Sequence, residues 1–177
     1  NGAEATLVGG ASPRATESLI QAAAHRSGSV PIAEQTGGQS PLQPKERSVG
    51  RDLGDVCGQS FGVRSLEIAA AGGHSLMMVG PPGCGKTMLA ERLAGILPDM
   101  TSSEALATAA VYSVSHLGFD SRYWQRRPFR APHHSASAAA LVGGGPRVTP
   151  GEISLAHNGV LFLDELTEFS RHVLDQL

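Results

Sequence analysis

Apolar residues recur at helical spacing in several parts of the chain, and most of these stretches carry their own start or stop signal. In the stretch that begins at Ser60, apolar side chains share one face and Gly72-Gly73 closes it. Thr101 and Glu104 match a capping box that opens another helix. The predicted helices cover residues 16–24, 60–71, 86–97, about 101–113 and 171–177.

Two short apolar runs predict buried strands. Ser75–Val79 lies between glycines, and Val160–Leu163 follows an Asn158-Gly159 turn. A helix signal comes after each run, and this strand–loop–helix alternation is typical of an α/β fold with a parallel sheet. The globular pattern begins near Asp52 and continues to the last residue.

The first 50 residues differ in composition from the rest. Residues 1–26 hold a single short helical signal, so they are predicted to be the tail of a preceding domain. Residues 27–50 hold four Ser, four Gly, three Pro and three Gln, which predicts a flexible linker. Residues 51–177 form the predicted globular module. Because the chain begins at Asn1 and ends inside a predicted helix, we expect it to be a fragment of a longer protein.

The composition limits the class of protein and the cellular compartment that are possible. Of 177 residues, 41% are hydrophobic and 17% charged, which is enough to build a core. The formal net charge of −2 excludes a polycation that clings to nucleic acid over its whole surface. Two cysteines cannot form a disulfide framework, which predicts a reducing, cytoplasmic location. No apolar run is long enough to predict a membrane span or a signal peptide.

A glycine-rich loop separates the first predicted strand from the next helix, and it matches the phosphate-binding pattern G-x-x-x-x-G-K-[ST]. Its glycines allow backbone N–H groups to surround phosphate oxygens, and the helix N-terminus adds partial positive charge. Lys86 is predicted to neutralise the β- and γ-phosphates of ATP, and the Thr87 hydroxyl to bind Mg²⁺. The loop consists of Gly80, Pro81, Pro82, Gly83, Cys84, Gly85, Lys86 and Thr87.

Two adjacent carboxylates follow the second predicted strand. Asp164 stands at the end of that strand, where it would orient the Mg²⁺ shell. Glu165 is the natural general base for an attacking water molecule. An isolated Asp-Glu pair after a strand is most often a solvated loop. Together with an upstream phosphate loop, the pair predicts ATP hydrolysis.

An arginine-rich segment and a histidine pair lie between these two motifs. Arg122–Arg130 holds four arginines and three aromatic residues. That composition fits two alternatives, a nucleic-acid channel or a surface segment that pairs with acidic neighbours, and the sequence leaves both open. His133-His134 has no Cys or carboxylate at ligand spacing, so no metal site is predicted there.

Together these motifs resemble the YifB/ComM family, a magnesium-chelatase-like branch of the AAA+ ATPases. The resemblance covers nearly all of residues 52–177, and residues 1–26 are similar, more weakly, to the end of a Lon-protease-like domain. The blocks that carry it are Val56-Cys57-Gly58-Gln59, Leu66–His74, the phosphate loop, Arg127–His134 and Gly151–Leu166.

The resemblance implies a P-loop αβα sandwich with a parallel sheet, incomplete at the C-terminus and active as a hexameric ring. It implies that Val56, Gly58 and Gln59 lie near the adenine of ATP. ComM-like proteins are associated with DNA branch migration in natural transformation, so DNA is the implied partner. Groups that act across subunits or close over the nucleotide are expected beyond Leu177. The chain alone is therefore expected to bind ATP weakly, to hydrolyse it negligibly and to form no stable hexamer.

Two other functions remain open at this point. One is a magnesium chelatase motor subunit that serves protoporphyrin metallation, and the other is a nucleotide-gated regulatory scaffold. A chelatase motor is distinguished from a DNA-dependent ATPase by whether porphyrin or DNA stimulates ATP hydrolysis. A regulatory scaffold is indicated if the hydrolysis rate responds only to a protein partner.

Overall fold

The computed structural model describes residues 5–7, 11–35, 52–144 and 148–177. Its contacts divide the chain into two units, Asn1–Lys45 and Glu46–Leu177. In the first unit, helix α1 covers Leu19–Arg26 and begins at Ser18, whose hydroxyl accepts a hydrogen bond from the Gln21 backbone N–H. Helix α1 therefore starts three residues later than the predicted helix.

The predicted linker falls partly outside the described residues, from 36 to 50. Its first part makes contacts within the first unit. Arg14 donates a hydrogen bond to the Ile32 carbonyl oxygen at 2.7 Å, and the Gln35 N–H donates to the Pro13 carbonyl oxygen at 2.9 Å. Residues 32–35 thus hydrogen-bond to the segment before α1.

Local signals account for the main helices of the second unit. The predicted helices at 60–71, 86–97 and 101–113 are confirmed to within one residue, whereas the helix from Arg171 ends at Leu174. The Thr101–Glu104 capping box is confirmed in both directions. The helices are α2 (Ser60–Gly72), α3 (Lys86–Ile96), α4 (Ser102–Ser113), α5 (Ala138–Val142), α6 (Glu152–Leu155) and α7 (Arg171–Leu174).

The described strands form two small sheets. Strand β1 (Phe129–Arg130) pairs in parallel with β4 (Val160–Leu161), in the register Phe129 to Val160 and Arg130 to Leu161. Strands β2 (Gly143–Gly144) and β3 (Thr149–Pro150) pair antiparallel. The β1–β4 pair depends on Gly159, because a Cβ there would collide with the Pro128 carbonyl oxygen, which accepts a hydrogen bond from the Val160 N–H at 2.8 Å.

The strand prediction for Ser75–Val79 is wrong. That segment carries no strand, and Met77 and Val79 are 76% and 86% exposed. The physical reason is pairing: within the described ranges no strand hydrogen-bonds to its edges. The strand predicted over Val160–Leu163 is confirmed only over Val160–Leu161. It is half-buried, and β1 is its single ladder partner among the described residues.

Two apolar clusters hold the second unit together around the predicted site. The first joins the segment before α2 to α2 and α3, and its buried members are Leu53, Leu66 and Leu89. The second joins α5, α7 and the segment after β4, and its buried members are Leu141, Phe169 and Val173. The phosphate loop leads into a helix anchored in the first cluster, and the acidic pair lies beside the second. In the part of the chain that the structure describes, no helix has the length and apolar character to cross a membrane.

Candidate functional site

The phosphate loop turns back on itself before α3 begins. Gly83 and Gly85 have φ values of 77° and 86°, in the left-handed region that favours glycine. Helix α3 then starts at Lys86, so its first N–H groups face the loop. The Lys86 ammonium donates to the carbonyl oxygens of Gly80 at 2.9 Å and Pro81 at 3.0 Å. The positive charge is therefore held over the loop.

Gln59 connects the segment before α2 to this loop. Its side-chain amide donates a hydrogen bond to the Cys84 carbonyl oxygen at 2.7 Å. Val56 packs against the first apolar cluster, and Gly58 turns the chain with a φ of 76°. Of the three residues that the resemblance assigns to the adenine, the structure thus brings Gln59 into contact with the phosphate loop. Their proximity to adenine stays a prediction.

The structure joins the two predicted motifs through one hydrogen bond. The Thr87 hydroxyl donates to Asp164 Oδ2 at 2.8 Å, although the two residues are 77 positions apart in the chain. Asp164 Oδ1 accepts the Glu165 backbone N–H at 3.0 Å. A hydroxyl and a carboxylate are the hard oxygen donors that Mg²⁺ takes in phosphate sites. The donor set at this point therefore fits the predicted ion.

Glu165 has an uncommon backbone conformation. Its φ of 53° and ψ of 51° lie in the left-handed region, which costs a non-glycine residue about 1–3 kcal/mol. Among the described residues, Gln125 and Asn158 share a positive φ with it. The Glu165 side chain is 65% exposed, and its Oε2 lies 3.4 Å from Nδ1 of His134. The predicted base is thus largely open to solvent, and its carboxylate lies close to the His134 ring.

The contact between His134 and Glu165 is not predicted by the sequence analysis. The ring of His134 lies against that of His133, with centroids 4.0 Å apart and the planes tilted by 36°, and meets the buried ring of Phe169 edge-on at 6.5 Å. His133 in turn interacts with the Ser135 hydroxyl at 2.8 Å. Recognition of strand β1 in the sequence would have predicted this contact. Both histidines follow β1 and Asp164 follows β4, so all three lie at the same edge of the sheet. Strand β1 lies inside the arginine-rich segment, where the apolar pattern is weak.

The arginine-rich segment is engaged with acidic neighbours. Arg122 bonds Asp120 at 2.6 Å, and Arg130 makes two 2.6 Å bonds to the Glu152 carboxylate. These hydrogen bonds raise the pKa of both arginines. The third arginine, Arg127, donates to the Pro98 and Asn158 carbonyl oxygens and faces Glu104 at 3.5 Å. For these three arginines, the structure favours acid pairing over a free nucleic-acid surface.

An open cavity of about 540 Å³ lies along the same segment. Tyr112 lines it, and its hydroxyl donates to the Leu155 carbonyl oxygen at 3.0 Å. Burial raises the pKa of Tyr112 and keeps the phenol neutral. The other walls include Phe119, Arg122, Tyr123, Arg127, Phe129 and Arg130. Arginines and aromatics thus share this space, but the arginine charges described above are already compensated.

Comparison with known proteins identifies the group to which the chain belongs. Residues 52–177 match the family model described as "Magnesium chelatase, subunit ChlI". The chain belongs to this family. Among its relatives, YifB of Escherichia coli (strain K12) is 58% identical over 77% of the chain and 27% of its own length. Competence protein ComM of Haemophilus influenzae is 49% identical over the whole chain and 35% of its own length.

The chain is therefore a YifB/ComM-family member, as its motifs predict. It spans about a quarter to a third of the length of these curated relatives. Lon protease 2 of Bacillus subtilis is a more distant relative, 29% identical over 72% of the chain. The match to the magnesium chelatase model begins at residue 52, where the globular pattern of the sequence begins.

Proposed function

We propose that the chain binds ATP together with Mg²⁺ and forms the hydrolytic module of an AAA+ ATPase. The observation that carries this proposal is the hydrogen bond between Thr87 and Asp164, which unites the phosphate loop with the acidic end of β4. Membership of the magnesium chelatase family and the similarity to a Lon protease support it further.

The phosphate loop supplies the binding groups of the proposed site. Backbone N–H groups of the loop and of the first turn of α3 donate to phosphate oxygens. The Lys86 ammonium exchanges its two loop carbonyls for the β- and γ-phosphates, a charge-assisted contact that is stronger than the one it gives up. Gln59 keeps the loop in shape through the Cys84 carbonyl oxygen.

Thr87 and the acidic pair after β4 supply the metal ligands and the base of the proposed site. The Thr87 hydroxyl and the Asp164 carboxylate would hold Mg²⁺, which when bound neutralises charge on the β- and γ-phosphates. The exposed Glu165 carboxylate accepts the proton of the attacking water. Because Glu165 follows Asp164 directly, water activation takes place next to the metal ligands.

Replacement of Glu165 by Gln tests the hydrolytic assignment. The amide keeps the shape of the side chain and cannot accept a proton, so kcat of the full-length protein should fall by about 10²- to 10⁴-fold. ATP affinity, measured by calorimetry in the presence of Mg²⁺, should stay within about twofold of the parent's, because binding rests on other groups. A variant that turns over ATP at the parent's rate would exclude Glu165 as the base.

We propose DNA as the macromolecular substrate and branch migration as the work performed. The similarity to the competence protein ComM supports this choice. The arginine-rich segment does not support DNA as the substrate, because Arg122, Arg127 and Arg130 already have intramolecular partners. The ATPase rate of the full-length protein with branched DNA, with protoporphyrin and with neither separates this proposal from a chelatase motor. A rate that responds to neither ligand would favour the regulatory scaffold.

Family membership also supports a proposal about the domain layout, assembly and location of the protein. We propose a P-loop αβα sandwich that assembles as a hexameric ring in the cytoplasm, preceded by a Lon-protease-like domain and a linker. Sedimentation of the full-length protein with and without ATP tests the ring. A protein that stays monomeric at saturating ATP would contradict it.

A further inference from the structure

We propose that Gln59 is a positioning residue that orients the Cys84–Gly85 peptide of the phosphate loop and thereby sets the affinity for the phosphates of ATP. This inference rests on the proposed binding of ATP at the loop, and it differs from the adenine contact that the family resemblance implies for Gln59. Its starting point is the 2.7 Å hydrogen bond from the Gln59 side-chain amide to the Cys84 carbonyl oxygen, which joins residues 25 positions apart.

The amide of Gln59 is not used to cap its own helix. Gln59 is the N-cap residue of α2, but its side chain makes no capping hydrogen bond. Serine, threonine, aspartate and asparagine are favoured at such a position, because their short side chains reach the first free N–H groups of the helix. The longer amide of Gln59 extends to the loop instead. The Gln59 backbone carbonyl oxygen still accepts the Val63 N–H at 2.9 Å, so the residue is fixed at the start of α2.

The helix that carries Gln59 packs on the helix that follows the loop. Leu66 of α2 is fully buried and Leu89 of α3 is 5% exposed, and both belong to the first apolar cluster. The amide therefore reaches the loop from a packed support. The contact is close, because a Cβ at Gly85 would lie only 2.8 Å from Gln59 Nε2. Gly85 thus makes room for the amide as well as for the turn of the loop.

Gly85 also makes the orientation of the Cys84–Gly85 peptide easy to reverse. Its φ is 86°, and glycine adopts positive and negative φ with similar ease. The next peptide is held by α3, since the Gly85 carbonyl oxygen accepts the Leu89 N–H at 3.0 Å. Within the described ranges, the bond from Gln59 is the recorded tie on the Cys84 carbonyl oxygen. Gln59 is therefore the group that selects one orientation of this peptide.

The orientation of the peptide decides where its N–H group points. A trans peptide places its C=O and N–H groups on opposite sides. With the Cys84 carbonyl oxygen on Gln59, the Gly85 N–H points away from Gln59 and serves as a donor to the phosphates. The reversed peptide would present a carbonyl oxygen there, which repels a phosphate anion. A loop that is mostly reversed therefore binds more weakly, in proportion to the fraction that stays competent.

Substitution of Gln59 in the full-length protein tests this role with a probe that lacks adenine. Gln59→Met keeps the length of the side chain and removes the donor. Affinity for Mg²⁺–ATP should fall about 5- to 30-fold, and affinity for tripolyphosphate, measured by competition with labelled ATP, should fall by the same factor within about twofold. KM for ATP should rise while kcat stays within about threefold of the parent's, because Asp164 and Glu165 are unchanged. Gln59→Glu also lacks the donor and should lose the same affinity, so it replaces Gln59→Met if the apolar side chain disturbs folding.

Two controls accompany these variants. Gln176→Met makes the same substitution at an exposed position after α7 and should leave both affinities within about twofold of the parent's. Lys86→Ala removes the loop ammonium and should weaken the binding of both ligands. If Lys86→Ala leaves both affinities unchanged, the loop is not the nucleotide site and the proposed function fails.

Three results would overturn the inference while the loop remains the nucleotide site. If Gln59→Met lowers the affinity for ATP and not for tripolyphosphate, Gln59 acts on the adenine. If neither affinity changes, the hydrogen bond from Gln59 does not control the loop. If both Gln59 variants lose more than about 5 °C in thermal midpoint without nucleotide, Gln59 supports the fold and not the site.

Discussion

The ion pair between Arg130 and Glu152 offers a quantitative test of the arginine-rich segment. It joins β1 to the start of α6 through two 2.6 Å hydrogen bonds, and the two side chains are only 27% and 22% exposed. If Arg130 is structural, its replacement destabilises the protein. If Arg130 is a nucleic-acid contact, its replacement weakens DNA binding and leaves the stability nearly unchanged.

The geometry sets the size of the expected effect. Two unit charges about 4 Å apart interact by about 4 kcal/mol at an effective dielectric constant of about 20. Desolvation of the two groups offsets a large part of this attraction. A bidentate, mostly buried pair should therefore show a coupling free energy of about 1–3 kcal/mol. The exposed pair Arg64–Glu67, at 72% and 48%, should couple by only about 0.2–0.5 kcal/mol.

A double-mutant cycle with Arg130→Met and Glu152→Gln measures this coupling. Urea unfolding of the chain can be followed by the fluorescence of Trp124, its only tryptophan. A parallel cycle on the exposed pair gives the reference value. A coupling energy as small as that reference, combined with a loss of DNA affinity in Arg130→Met, would refute the structural interpretation and return Arg130 to a nucleic-acid interface.

Other predictions address binding, pH dependence and the core. Lys86→Ala removes charge-assisted bonds worth about 1.5–3 kcal/mol each, so ATP affinity by calorimetry should fall at least about tenfold; an unchanged affinity would exclude the loop as the site. The hydrogen bonds from Thr101 lower the pKa of Glu104 below 4.5. Glu104 should therefore stabilise the fold relative to Glu104→Gln above that pH, and the advantage should vanish as the pH falls through the lowered value; an advantage that grows in acid would contradict this sign. Leu66→Ala, at a fully buried position, should cost about 3–5 kcal/mol in urea unfolding and Ile68→Ala, 52% exposed on the same helix, less than about 1 kcal/mol, so equal losses would contradict the burial argument.

The main helices and the phosphate loop could be predicted from the sequence because their signals are local. The boundaries of α2, α3 and α4 follow from helical periodicity, from the glycines after α2 and from the capping box at Thr101. Glycines and a lysine at fixed spacing likewise define the phosphate loop without any long-range information. Each of these features depends on residues within a few positions of one another, so a single sequence contains the necessary information.

Pairing between distant segments could not be predicted in the same way. Phe129–Arg130 forms a strand only because β4 lies beside it, and its arginine masks the apolar pattern. Ser75–Val79 has the apolar pattern and no ladder partner among the described residues. The contact of His134 with Glu165 depends on that same pairing, and so it was invisible to periodicity. A strand is a property of two segments, whereas a helix is a property of one.

Because the backbone at Glu165 is left-handed, selection for thermal stability and selection for catalytic turnover should favour different residues at this position. Glycine adopts that conformation at no steric cost, and asparagine tolerates it better than glutamate does. A library selected for heat resistance alone should therefore accumulate Gly or Asn at position 165, while a library selected for turnover should retain Glu. Sequencing the two populations would show whether the chain gives up thermal stability to keep a carboxylate at this turn.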